Sequence, residues 1–374
     1  MKRLLTGLAI SGTVAFLGGS APARAGEREV PAEQAPPPEQ VKPSYPSFHL
    51  IGFADLDFFA TDETNSRSNS GFFEGQFALH FTSTLSSRFT FFGEVSLTAR
   101  RDATTTSSVP GFNPEVERSI LKYTLTDYLK FSVGRYHTPV SYWNVAFHHG
   151  QWLQTTISRP EMIQFGGQFL PVHFVGALAE GAIPSGPLRV SYNVGLGNGR
   201  STVVSRAGDA GDVNNSRAVI VNLSISPDRP FGLQAGASLY GDKVTLPTSS
   251  HREWIRSAYA AWTKETPELI AEYASVRHHD LVSDKITTNR AYYVQVAYRL
   301  PGRGSHWKPY YRWEDIRIAS GDEVFASLRS RNGSILGVRF DASDLVALKA
   351  EYRRQRDSGH PYVNGFYSQA CFSF

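Results

Sequence analysis

The chain ends on Gly365-Phe366-Tyr367-Ser368-Gln369-Ala370-Cys371-Phe372-Ser373-Phe374. Phe374, Phe372, Ala370 and Phe366 share one side of a period-2 pattern, with Ser368 as the gap. Ser373, Cys371, Gln369 and Tyr367 share the other. Such alternation predicts a half-exposed strand. A soluble domain usually leaves its last residues polar and loose, whereas this segment stays aromatic to its last position.

The body of the chain has the same texture. After the first residues no window holds the roughly 20 apolar residues that a spanning helix needs. What recurs is a segment of about ten alternating residues followed by a break, the signature of a transmembrane β-barrel. Such segments fall at 49–59, 72–82, 89–100, 117–125, 129–137, 172–181, 188–197 and 218–226. They continue at 231–241, 253–263, 269–277, 291–300, 306–315, 334–341, 345–354 and 365–374. The fold class expected is all-β, an antiparallel up-and-down transmembrane barrel of about 16 strands. Fourteen or eighteen strands also fit within modest shifts of the boundaries. Short turns follow the even strands ("SSR", "TDY", "PDRP", "ASD") and longer polar loops the odd ones. Short periplasmic turns and long extracellular loops are how outer-membrane barrels are built. The terminal Phe then closes the last strand against the first, with its apolar face toward lipid.

The other end of the chain agrees with that compartment. Lys2 and Arg3 precede an apolar stretch from Leu4 to about Gly19, and Ala23-Arg24-Ala25 offers a cleavage site. Residues 1–25 read as a secretory signal peptide. Residues 26–47, rich in Pro, Glu and Gln, read as a periplasmic tether that buries no core, and 48–374 as the barrel. Of 38 basic and 34 acidic residues, the leader holds Lys2, Arg3 and Arg24 and no acid, so the mature chain is nearly neutral. That leaves no concentrated basic face for nucleic acid. The single cysteine, Cys371, allows no internal disulfide, and a closed, fully hydrogen-bonded barrel would supply the stability instead.

Parity assigns the faces. Charges on the lipid face at mid-membrane cost about 2–4 kcal/mol each, so charged residues are expected inside. The bases are Arg100, Lys122, Lys130, Arg299, Lys308, Arg312, Arg339, Lys349 and Arg353. The acids are Asp55, Asp57, Glu74, Glu94, Glu272, Glu314 and Glu351, with His80 on the same face. A lumen of mixed charge in a barrel of this size implies a water-filled pore, at most weakly anion-preferring on the slight basic excess. The longest loop, 138–171, carries Trp143, Phe147, Trp152, Leu153, Ile157 and Phe165. These need burial, and the inner wall is the natural place. The loop is thus expected to constrict the pore, with His148, His149, Gln151, Arg159 and Glu161 as candidate selectivity groups. Packing on a neighbouring subunit, or capping the outside, is the alternative.

The stretch "LKFSVGRYHTPVSYWN" (129–144) carries Gly134, Arg135, Tyr136, His137, Thr138 and Pro139 in sequence. It resembles the strand-plus-turn of the phosphate-selective porin group and its uncharacterised porin-like relatives. The resemblance implies a porin-like barrel and a homotrimer. The ladder of pore-lining bases associated with phosphate selectivity is not placed in this sequence, so the solute stays open. The partners expected are outer-membrane lipid and lipopolysaccharide, and the barrel assembly machinery through Phe374. No cofactor is expected.

Two other functions compete. A plugged receptor or adhesin barrel would use the polar loops 101–115 and 198–216, which look mobile. An outer-membrane hydrolase would need a Ser-His pair held by a third group, but G-x-S-x-G and H-E-x-x-H are both absent. His148-His149 and His278-His279 read as loop histidines at a solvated rim rather than metal pairs.

Overall fold

The computed structural model describes residues 44–64, 68–99, 112–147, 149–164 and 168–374. The signal peptide and all but the end of the tether lie outside the described residues, as do Arg100, His148 and Phe165. The strands are β1 (Ser47–Thr61), β2 (Ser70–Thr84), β3 (Phe89–Ala99), β4 (Phe112–Thr126), β5 (Leu129–His137), β6 (His173–Ile183), β7 (Val190–Asn198) and β8 (Ala218–Ile225). The second half comprises β9 (Leu233–Thr245), β10 (Ser250–Thr263), β11 (Glu268–Asp280), β12 (Ile286–Ala297), β13 (Trp307–Arg317), β14 (Arg331–Asp341), β15 (Val346–Asp357) and β16 (Val363–Ser373). Each pairs with its sequence neighbours, and β1 pairs antiparallel with β16, closing a sixteen-stranded barrel.

The last residue extends the closing ladder. Gly52 N donates to Phe374 O at 2.8 Å, and Phe374 N to Gly52 O at 3.0 Å. The Phe374 ring lies where a side chain at position 52 would stand, 2.2 Å from an ideal Cβ. Gly52 is therefore glycine because the terminal ring occupies its space. Phe366, Phe372 and Phe374 face outward, and Gln369 and Cys371 are buried inside, as the period-2 pattern requires.

The ladder shifts register at Ala54/Leu56, Glu94/Val95 and Thr124/Thr126, and the first shift upsets a parity assignment. The register between β1 and β2 shifts between Ala54 and Leu56. Gly75 lies against Asp55 there, which leaves no room for a Cβ. Glu74 pairs with the outward Leu56 and is exposed, so it departs from the inward placement that alternation gave it.

Loop lengths depart from expectation too. The links after β1, β7 and β13 are long, but those after β9, β11 and β15 span only 246–249, 281–285 and 358–362. The strands before them run several residues further than alternation indicated. Polar outward residues such as Arg252, Arg277 and Arg290 continue the ladder while breaking the apolar pattern.

With the outer wall turned to lipid, the buried apolar core lies inside the barrel. Trp143, Ile163, Phe169 and Leu170 of the segment after β5 pack on Ile220, Tyr240, Ile255, Ile270 and Tyr293 of β8–β12.

Candidate functional site: a loop fastened inside the barrel

The segment between β5 and β6 turns into the lumen. Thr138 N donates to Val172 O at 2.8 Å, closing the loop's base. The Asn144 side-chain amide reaches the carbonyls of Thr138 and Val172 at 3.1 and 2.8 Å. A short helix α1 (Tyr142–Phe147) follows. Its first amides would lack acceptors, and Glu272 of β11 supplies them: Tyr142 N and Trp143 N donate to its carboxylate at 2.8 and 2.9 Å. Tyr293 Oη donates to the same carboxylate at 2.6 Å.

Further along, the inner wall grips the loop mainly by its peptide groups. Arg312 of β13 donates to the carbonyls of Ser158 and Arg159 at 2.9 and 3.0 Å. Arg339 of β14 donates to those of Trp152 and Gln154, and Lys349 of β15 to those of Gln151 and Thr156. Carboxylates take the amides. Ile157 N donates to Glu351 at 2.9 Å and Glu161 N to Glu314 at 3.1 Å. Lys308 is held by Glu265 and Glu268, and Thr155 Oγ1 also donates to Glu268. Charge-assisted bonds of this kind contribute about 1.5–3 kcal/mol each when buried.

The bases and acids that parity placed inside therefore divide into two groups. Arg312, Glu314, Arg339, Lys349 and Glu351 are buried beneath the loop and bind it, and Lys308, also buried, holds Glu268, which bonds Thr155 of the loop. Arg353 remains at the edge of an open cavity, its guanidinium 3.6 Å from the Tyr367 ring centroid. Lys122 of β4 pairs with Glu180 of β6, and Lys130 lies beside Glu180 in the ladder. Arg299 is not in a strand. It sits in the link after β12 and bonds Glu265 and Asp341. Partial burial would push the Glu265 carboxyl up, but the hydrogen bond from Arg299 and the charge of Lys308 hold it down at about 2.

On the loop itself, His149 bonds Gln76 at 3.0 Å and lies 3.1 Å from Glu117. Arg159 is buried, and Glu161 pairs with Arg331 at 3.2 Å. Opposite the fastened side, a cavity of about 800 Å³ remains. The inward carboxylates among its lining residues are Asp55, Asp57, Glu63, Glu115 and Glu117; its arginines are Arg159, Arg206 and Arg353.

Two groups have ligand atoms close enough for a metal: Glu94 with His137 and His149, and Glu117 with His137 and His173, each within 4.8 Å. Both carboxylates already carry guanidinium charge. Arg118 donates to Glu94, and Arg135 lies 3.6 Å from Glu117, with Arg159 lining the same cavity. A dication would add to that positive charge, so the cluster fits a self-neutralised network better than a metal centre.

Several contributors escaped alternation. His278 is not a rim histidine. It is buried and bonds Asp322 at 2.7 Å and Glu253 at 3.0 Å. Its neighbour His279 faces outward and pairs with Asp284. The segment 199–217, which looked mobile, is anchored by buried Arg200 on Glu253 at 3.0 Å and on the Phe169 carbonyl at 2.9 Å. Of 101–115, residues 101–111 lie outside the described residues and 112–115 belong to β4. The apolar inner wall under the loop could have been found from strands apolar on both faces, such as "AVIVNL" and "SAYAAW".

Set against solved structures, the chain is similar to an anion-selective porin from Comamonas acidovorans (TM-score 0.63, 12% identity, covering 88% of this chain and 100% of that one). It is also similar to OmpF of Salmonella typhi, solved in complex with daunomycin (0.57, 14%, 87% and 97%). A third likeness is the outer membrane channel DcaP of Acinetobacter baumannii (0.57, 12%, 88% and 97%). No family model and no curated protein matches the sequence. These likenesses place the fold among outer-membrane porin barrels, and do not single out the phosphate-selective group.

Proposed function

We propose that this chain is a passive outer-membrane channel for small hydrophilic solutes or ions, narrowed by the loop 138–171. One observation carries the proposal. The loop is fastened to β11–β15 by buried charged groups, while a cavity of about 800 Å³ stays open along β1–β4 and β15–β16. The proteins it resembles include porins and a channel, which favours passage over catalysis.

The constriction reading assigns selectivity to the open side. The bases beneath the loop are spent on its carbonyls, which removes the ground for an anion preference. The carboxylates of the open cavity outnumber its arginines, and acidic rings favour cations. The channel is therefore expected to lean toward cations. Arg159 and His149 are its loop-side groups, and Arg353 its wall-side group. Assembly through the C-terminal Phe374 and association as a homotrimer belong to the same proposal. The trimer would draw on the outward apolar residues Phe48, Leu50, Leu56 and Phe72 of β1 and β2.

The test is single-channel recording of the refolded mature chain in a planar bilayer, with reversal potential measured in a KCl gradient. Steady open steps with a cation-signed reversal potential are expected. Silence from protein shown to be folded would mean that the loop plugs the barrel, and the receptor reading would replace the channel.

A further inference from the structure

The outer wall of β9–β12 carries a feature that transport does not use. Its outward residues in the upper half are Lys243 on β9, Arg252, Trp254 and Arg256 on β10, Arg277 on β11 and Arg290 on β12. Among the described residues, the outer face of these four strands holds no carboxylate. Arg256, Arg277 and Arg290 have no ion pair or hydrogen bond among the described residues. All three line one groove of about 510 Å³, together with Leu239, Trp254, Ser275 and Thr288.

Register brings them together. Arg256 and Arg290 both pair with Ser275, from opposite sides. Arg277 lies one pair further along β11 and is diagonal to both, a separation of about 7–8 Å that long side chains bridge. Height follows from strand geometry. From Leu269 to Arg277 the strand rises about 20 Å along the membrane normal, at about 3.3 Å per residue and a tilt of about 40°. Leu269 pairs with Trp262 at the lower aromatic edge. In an apolar band about 25 Å tall, Arg277 and its partner Trp254 lie about 5 Å below the extracellular edge, and Arg256 and Arg290, level with Ser275, about 5 Å deeper. Tyr273, Tyr292 and Val294, all exposed, lie below them in the band.

An unpaired guanidinium at that depth is unfavourable unless something anionic meets it. Planar guanidinium groups pair with phosphate oxygens in bidentate fashion. We propose that Arg256, Arg277 and Arg290 form a binding site for the phosphate groups of an outer-leaflet glycolipid, with its acyl chains lying along Tyr273, Tyr292 and Val294. The lipid is chosen over a free anion because the groove opens on the lipid-facing wall and continues into the apolar band.

The experiment titrates the folded mature chain in detergent with bisphosphorylated lipid A, its dephosphorylated form, and inorganic pyrophosphate, reading bound mass by native mass spectrometry. Wild type is expected to bind the phosphorylated lipid at least tenfold more tightly than the dephosphorylated one. It should also bind that lipid more tightly than pyrophosphate. The R256Q/R277Q/R290Q triple variant, checked for folding by heat-modifiable migration, should lose that tenfold preference. Equal binding of both lipids by wild type, or an unchanged preference in the Gln variant, overturns the site. Pyrophosphate binding as tight as lipid would transfer the site to a free anion and defeat the proposal.

Discussion

The two faces of β10 and β11 treat charge in opposite ways. On the inner face Glu253 meets Arg200 and His278, and His278 meets Asp322, which also accepts from Asn289 at 2.7 Å and from the Phe325 amide at 3.1 Å. Every one of these groups holds an extracellular segment against the barrel. On the outer face of the same two strands, Arg256 and Arg277 hold no part of the protein. Inside, a charge acts as a fastener. Outside, the same residue type serves only something that comes from the surroundings.

The comparison can be broken from either side. The largest effect is expected from Glu253→Ala, which strands buried Arg200 and His278. Breaking a buried pair costs about 3–5 kcal/mol, read as a lower midpoint of denaturant unfolding in lipid or detergent. An outer-wall change such as Arg290→Gln should not lower that midpoint, since Arg290 holds no other part of the protein and a guanidinium on the lipid face is itself a cost. Equal losses from the two variants would end the contrast.

Arg312→Gln comes next. It removes bonds to two loop carbonyls, at about 1.5–3 kcal/mol for each charged hydrogen bond. The loosened loop should give larger and noisier single-channel steps. Unchanged steps would show that the loop does not limit conduction.

Gly52→Val forces a side chain into the space of the Phe374 ring. Overpacking of that kind costs about 1–3 kcal/mol, seen here as a lower yield of heat-modifiable barrel. The rest of the inner wall should keep its contacts.

The smallest effect belongs to Glu265, half-exposed in a turn on the periplasmic side. Its carboxyl is held at about 2 in the folded state, below the usual value of about 4.3. The stabilisation is therefore fully present above about pH 4 and lost as the pH falls toward 2. Solvent screening keeps the contribution under about 1 kcal/mol. The difference in unfolding midpoint between wild type and Glu265→Gln should be small at pH 7 and vanish near pH 2.

Much of the barrel could be read from alternation alone. Sixteen strands, the lipid face of β16 and the inward Arg312, Lys349 and Glu351 all follow from period 2, because the pleat forces neighbouring side chains to opposite faces. What alternation could not show was which inward charges face water and which lie under the loop. That depends on where a 35-residue excursion from β5 (138–172) comes to rest, a matter of contacts far apart in sequence. The outer arginines were missed for a local reason. The expected strands began just after Arg252 and Arg290, and Arg256 and Arg277, which lie within 253–263 and 269–277, were assigned to neither face. The buried role of His278 needed Asp322, which lies 44 positions away.

The grip on the loop has a consequence for how such a channel can vary. Arg312, Arg339 and Lys349 take main-chain carbonyls, and Glu272, Glu314 and Glu351 take main-chain amides. Main-chain groups are common to all residues, so much of the fastening is indifferent to which side chains the loop carries. Gln164 on its open side can then be exchanged with little cost to the anchorage. Under the proposed function, permeability and foldability are in this way largely decoupled: a lineage could retune what passes by editing a few loop codons while the wall that secures the loop stays as it is.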